Sequence, residues 1–242
     1  MFRLMASKVR LFVEHPLGEG QTVPLDRDRA TYLFAVMRLE VGTVLSLING
    51  IDGEWDAQVV EGSKRGGVLH VLRQTAPLVP PPDLWLMFAP IKKARTDFIV
   101  EKAVELGAAR ILPVVTEFTN EKARSDKLQA HAVEAAEQCG GTFVPEVADV
   151  QKLSAVLDGW GGRQLLFCDE ALVGQTSALS SLPSGPWAIL IGPEGGFSER
   201  ERDRLRGMSQ AHRISLGPRI LRADTAAVAA MTLWQTTLGD WR

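Results

Sequence analysis

Apolar positions along the chain follow two rhythms, separated by a proline-rich break. In the first part, short runs alternate apolar and polar residues: KVRLFV (8–13), TVLSLIN (43–49), EWDAQVV (54–60) and GVLHVLR (67–73). That spacing predicts strands with one buried face. NGIDG (49–53) has turn chemistry between two of them. ATYLFAVMRLEVG (30–42) predicts one short helix ending near Gly42. Residues 1–73 therefore read as a small, mostly β domain closing as a barrel. QTAPLVPPPD (74–83) carries four prolines in ten residues and reads as a stiff linker.

Over residues 84–242 the rhythm changes. LWLMFA (84–89), RILPVV (110–115), QLLFC (164–168), WAILIG (187–192) and HRISLG (212–217) are apolar runs suited to buried strands. Helical patterns separate them. In DFIVEKAVELG, Ile99, Ala103 and Leu106 share a face and Gly107 stops the helix. KLQAHAVEAAEQCGG continues helical to about Cys139. Ser198 with Glu201 forms a capping box for a helix over 199–207. Asp224 or Thr225 caps a last helix running to Gly239. Strands alternating with helices predict an α/β fold with a largely parallel sheet.

Composition narrows the class. The 242 residues are 45% hydrophobic and 23% charged, an ordinary globular balance. No apolar run approaches the roughly 18–20 residues of a membrane span. Lys8 and Arg10 interrupt any export-signal core, so the expectation is a cytoplasmic protein with no membrane association. Cys139, Cys168 and the four histidines (His15, His70, His131, His212) lack metal-site spacing, and no metal is expected. The net charge of −2 conceals a local excess, since residues 199–222 are net +4 and IKKAR (91–95) adds Lys92, Lys93 and Arg95. Such clusters suit either a solvated face or the phosphates of a nucleic acid.

Two segments carry candidate chemistry. In WAILIGPEGGFSERE (187–201) a buried strand meets Gly192-Pro193-Glu194-Gly195-Gly196 and then a capped helix. Ligands of open parallel sheets sit at strand carboxyl ends, where this loop falls. It is neither a phosphate-binding P-loop nor a dinucleotide fingerprint. In ISLGPRILRADTAAVAAMTLWQ (214–235) a second strand meets a loop bearing Leu216, Ile220 and Leu221 beside Arg219 and Arg222. Apolar residues in a surface loop need a cover, either the core or a flat apolar ligand.

LIGPEGGFS, then SLGPRILRADTA, then a final alanine-rich helix resembles the bacterial 16S ribosomal RNA uracil-N3-methyltransferases of the SPOUT superfamily. YLFAVMRLEVG (32–42), KKARTDFIVEKAVELGAARILPVVTEFTNEK (92–122) and AAEQCGGTFVPEV (135–147) extend the similarity over nearly the whole chain. The resemblance implies a PUA-like N-terminal β-barrel for RNA and a C-terminal α/β domain with a deep trefoil knot. It implies a homodimer, S-adenosylmethionine as cofactor, and 16S ribosomal RNA or the small ribosomal subunit as partner. The implied cofactor residues are Leu190, Gly192, Pro193, Glu194, Gly195, Gly196, Leu216, Gly217, Ile220, Leu221, Arg222 and Thr225. Asp224 and Thr31 depart from the family pattern, which carries glutamate and often histidine at those places.

Uracil N3 holds a proton and is a poor nucleophile until it is lost. A cation stabilising the anionic base is needed, and Arg222 is the candidate; Glu194 or Asp224 can accept the proton. N3 lies on the pairing edge, so the target base must be unpaired or flipped out. Arg10, Arg38, Lys92, Lys93, Arg95, Arg200 and Arg204 are the candidate RNA contacts. Two alternatives stand beside this reading: a ribose 2′-O-methyltransferase, and a non-catalytic RNA-binding protein of ribosome assembly.

Overall fold

The computed structural model describes residues 9–169 and 182–241; Lys8 of the expected first strand lies outside them. Two compact units emerge, Met1–Pro80 with Ala136–Val144, and Pro81–Ala135 with Pro145–Arg242.

The first unit holds β1 (Arg10–Phe12), β2 (Thr22–Leu25), β3 (Val44–Ile48), β4 (Glu54–Ser63) and β5 (Gly66–Ala76) in the order β1-β3-β4-β5-β2. β3, β4 and β5 form an antiparallel meander, with β1 parallel to β3. Leu45, Leu47, Ala57, Val59, Leu69 and Val71 recur at intervals of two and form its core. The β2 strand was not legible in the sequence because TVPL contains Pro24. Its place at the sheet edge is where a strand tolerates a residue without an N–H. The expected helix over 30–42 is shorter. It starts as α1 (Arg27–Ala30), capped by Asp26, widens into a π-type segment (Thr31–Val36), and ends before Arg38, whose φ is 55°. β5 runs to Ala76, inside the segment read as linker.

The second unit contains β6 (Leu84–Phe88), α2 (Lys93–Glu105), β7 (Arg110–Val115), α3 (Ser125–Cys139), β8 (Glu146–Val147), β9 (Gln151–Lys152), α4 (Leu153–Asp158), β10 (Gln164–Cys168), β11 (Trp187–Ile191), α5 (Glu199–Arg206), β12 (Ala211–Ile214) and α6 (Ala223–Thr237). Its strands pair in parallel in the order β12-β10-β11-β6-β7-β8, with β9 beside β7. Every residue of central β11 is buried, the signature of a strand covered on both faces. The capping box of α5 is complete: Ser198 accepts from the Glu201 N–H, and the Glu201 carboxylate accepts from the Ser198 N–H. α6 begins two to three residues earlier than the expected cap at Asp224 or Thr225 implies. Arg222 holds the cap position, while Asp224 sits in the first turn, where its charge suits the helix N-terminus. Among the described residues no helix is long and apolar enough to cross a membrane.

The alanines of α6 face inward. Ala223, Ala226, Ala227 and Ala230 are buried with Met231 and Trp234, and their small size lets α6 lie close against α2. Gln235, fully buried, secures that contact. Its Nε2 donates to the Leu106 carbonyl at the end of α2 (2.7 Å), and its Oε1 accepts from the Asp240 N–H (3.2 Å).

Arg10 corrects one expectation. Its guanidinium donates to the carbonyls of Ala136 (2.7 Å), Glu137 (2.9 Å) and Gly141 (2.9 Å), and it pairs with Glu54 at 3.3 Å. These contacts satisfy the open carbonyl end of α3 and explain why Ala136–Val144 groups with the first unit. A guanidinium so committed is not offered to a phosphate.

Gln235→Ala is expected to lower stability by about 2 kcal/mol, because it strands the Leu106 carbonyl and opens a small void; the urea midpoint reads this. His212 gives a pH dependence. Its Nε2 lies 2.8 Å from Gln164 Oε1, and burial pushes its pKa below 6.5. The unfolded chain therefore binds a proton that the folded chain resists, and stability falls as pH drops below about 6.5. His212→Gln should flatten thermal midpoints measured across that range.

Candidate active site

The carboxyl ends of β10, β11 and β12 open onto a cavity of about 450 Å³, within the size range of small-molecule sites. Each strand delivers a loop to it. β10 supplies Cys168 and Asp169, and β11 supplies Ile191 and the loop Gly192, Pro193, Glu194, Gly196 and Phe197. After β12 come Leu216, Arg219, Ile220, Leu221 and Arg222, leading into Ala223 and Ala226 of α6; Lys92 and Arg95 at the start of α2 complete the rim.

Two glycines are dictated by space and backbone. A Cβ on Gly192 would stand 3.1 Å from the Phe197 ring, too close for ordinary packing. Gly196 takes a φ of 68° and returns its N–H to the Pro193 carbonyl at 2.9 Å, closing a tight turn. The wall is otherwise apolar through Ile191, Phe197, Ile214, Leu216 and Leu221. Cys168 belongs with them: burial pushes its thiol up to about 12, so it stays neutral at physiological pH.

Charge is unevenly committed. Arg95 bridges the glycine loop and the first turn of α6, its Nη1 2.9 Å from Glu194 Oε1 and its Nε 3.6 Å from Asp224 Oδ2. Asp169, with 1% of its side chain exposed, lies 3.8–3.9 Å from guanidinium nitrogens of Arg202, Arg206 and Arg213. Arg222 is exposed on the rim and has no ion-pair partner among the described residues.

Of the residues expected at a cofactor, the structure brings Gly192, Pro193, Glu194, Gly196, Leu216, Ile220, Leu221 and Arg222 to this cavity. Leu190 is not among them; it alternates to the other face of β11 and packs in the core with Phe197. Gly195 lies on the outer side of its turn beside Phe118, and neither Gly217 nor Thr225 lines the cavity. Asp224 reaches the site through Arg95. Of the expected RNA contacts, Lys93 pairs with Asp97 and Arg204 with Asp158, while Lys92 and Arg200 have no ion-pair partner among the described residues. Arg38 is an exposed residue of the first unit. Asp169, Arg202 and Cys168 were missed, although a carboxylate at a strand's carboxyl end is a readable signal.

A parallel α/β domain with a strand-end cavity, joined to a small β unit, defines the class, and comparison sharpens it. Residues 79–235 match the model of an RNA methyltransferase domain and residues 25–72 that of an RNA methyltransferase PUA domain. Ribosomal RNA small subunit methyltransferase E of Rickettsia conorii is 30% identical over 227 residues, covering 92% of this chain and 93% of the relative. The Bacillus subtilis protein of the same name is 28% identical, covering 95% and 97%. A crystal structure of ribosomal RNA small subunit methyltransferase E from Neisseria gonorrhoeae, bound to S-adenosyl methionine, superposes with a TM-score of 0.88 at 28% identity, covering 97% of this chain and all of that one. The chain belongs to the ribosomal RNA small subunit methyltransferase E family.

The neutral thiol, half-buried in the cavity wall, leads to a simple expectation. Iodoacetamide at pH 8 should label exposed Cys139 and spare Cys168 until the protein is unfolded; peptide mass spectrometry reads both sites, and rapid labelling of native Cys168 would contradict this account of its burial.

Proposed function

We propose that this chain transfers the methyl group of S-adenosylmethionine to N3 of a uridine in 16S ribosomal RNA of the small subunit. The observation that carries the reading is the convergence of two loops, after β11 and β12, on one apolar-walled cavity with an uncommitted arginine at its rim. The donor set fits the cofactor. Ile191, Leu216 and Leu221 suit a flat adenine, Lys92 suits a carboxylate, and Asp169 suits hydroxyl or ammonium groups. When bound, the cofactor supplies a methyl already activated on a sulfonium.

The chain's own residues must then orient the acceptor and manage one proton. Arg222, held at the cap of α6 and facing the cavity rim, stabilises the uracil anion. Of the two carboxylates expected to take the N3 proton, Glu194 lines the cavity and Asp224 does not, so Glu194 is assigned that task. Arg95 keeps the Glu194 loop in register with α6.

The same reading includes a homodimeric, cytoplasmic enzyme. Its first unit closes as a PUA-like RNA-holding barrel whose last strand is β5, a proline-rich linker follows that strand, and the second unit is a knotted domain. The barrel is supported by the five-stranded sheet. The knot is supported by the return of the chain from edge strand β12 to pack α6 against α2 and β11.

Mass spectrometry of nucleosides from ribosomal RNA of cells lacking the protein is expected to show loss of 3-methyluridine, which also separates base from ribose methylation. Complementation with Arg222→Ala should restore little of the mark, with kcat reduced by about 100-fold or more in vitro. Full activity of that variant, or no S-adenosylmethionine binding in calorimetry of the wild type, would overturn the assignment.

A further inference from the structure

A second cleft of about 490 Å³ lies beside the first, between the carboxyl end of β7, the start of α4 and one face of α5. Its floor is apolar, formed by Val115, Leu153 and Leu157, with Val115 38% exposed. Lys152 and Arg200 line it and have no ion-pair partner among the described residues. Of the other charges in the lining, the Glu117 carboxylate is exposed, and two are committed. Arg204 is paired with Asp158 at 2.6 Å, and the Glu201 carboxylate accepts N–H groups from Glu117 (2.9 Å) and Ser198 (3.0 Å).

Phe118, 44% exposed, follows Glu117 of the cleft's lining and stands against Gly195 of the glycine loop, though it lines neither cavity. The turn that carries it is firmly built. The Thr116 N–H donates to Thr119 Oγ1 (2.9 Å), the Thr119 N–H donates to the Thr116 carbonyl (3.2 Å), and the two hydroxyls share a hydrogen bond of 2.8 Å. The Glu117 N–H then bolts the turn to α5 through Glu201. The Cβ that Gly195 lacks would lie 3.5 Å from Phe118 Cβ, so the ring stands directly against the loop lining the first cavity. An exposed aromatic side chain on a hydrogen-bonded turn, next in the chain to Glu117 of the cleft's lining, suits the π-face of a nucleotide, and Lys152 and Arg200 within the cleft suit its anionic backbone.

We propose that this cleft seats the single-stranded RNA next to the reacting base, with Phe118 stacking on a base and Lys152 and Arg200 holding its phosphates. The inference rests on the reading that the chain acts on RNA, and it adds the place where the acceptor strand lies.

The test measures binding of a labelled single-stranded oligouridylate to the full chain across a range of salt, alongside calorimetry with S-adenosylmethionine. Reversing both cations, Lys152→Glu with Arg200→Glu, should weaken binding and flatten the salt dependence by about 1.4 in log–log slope, the share of two phosphate contacts on a single strand. Phe118→Ala should weaken binding by about tenfold with the salt slope unchanged, and Phe118→Trp should restore it. Both variants should keep the wild-type circular dichroism. Unaltered oligonucleotide affinity in both variants, or no binding by the wild type, overturns the proposal. If RNA affinity is kept but association with isolated small subunits is lost, a ribosomal protein occupies the cleft and the proposal also fails. The oligonucleotide measurement needs no cofactor, so loss of the methyltransferase reading through absent cofactor binding is seen separately.

Discussion

The site of the second unit depends on Arg95, which ties the glycine loop after β11 to the first turn of α6. Glu194 follows β11 and Asp224 follows β12, and these strands are not neighbours, because β10 lies between them. Backbone hydrogen bonds fix each strand, but they do not set how far the glycine loop stands from the start of α6. A guanidinium has donors on separate edges and can face two carboxylates at once. Arg95 does so from the first turn of α2, an element anchored elsewhere by its contact with α6. Its partial exposure keeps the energetic contribution modest. What the bridge supplies is position, and it leaves the cavity open where a covalent or apolar tie would fill it.

That arrangement also shows what a sequence can disclose. β7 and β10 match the apolar runs RILPVV and QLLFC residue for residue, and the α5 capping box forms as the Ser198–Glu201 spacing requires. These features are local: burial period, cap chemistry and glycine stops act over a few residues. β2 was hidden because Pro24 masks a strand that only its edge position permits, and α4 because six residues carry too little period. Leu190 was misplaced by one residue of strand alternation, a shift that moves a side chain from cavity to core. Arg95 and Arg10 read as surface cations, and their partners lie about a hundred residues away in sequence. No local pattern carries such a pairing.

The arginine-rich stretch over 199–222 makes the same point quantitatively. As a sequence it is net +4 and invites a single interpretation, either a solvated face or a phosphate-binding surface. The fold divides it. Arg202, Arg206 and Arg213 gather around buried Asp169, joining the end of β10 to α5 and β12, and Arg204 is held by Asp158. A carboxylate taken out of water needs such company, since an unpaired charge there is costly. The cations left over, Arg200, Arg219 and Arg222, all open onto one of the two cavities. Positive potential is thereby removed from most of the segment and concentrated where an anion has a cleft to enter. Field focused in a cleft attracts a charged substrate more effectively than the same charge spread over a face. A chain of net charge −2 can therefore present cationic clefts to a polyanion without a basic surface overall.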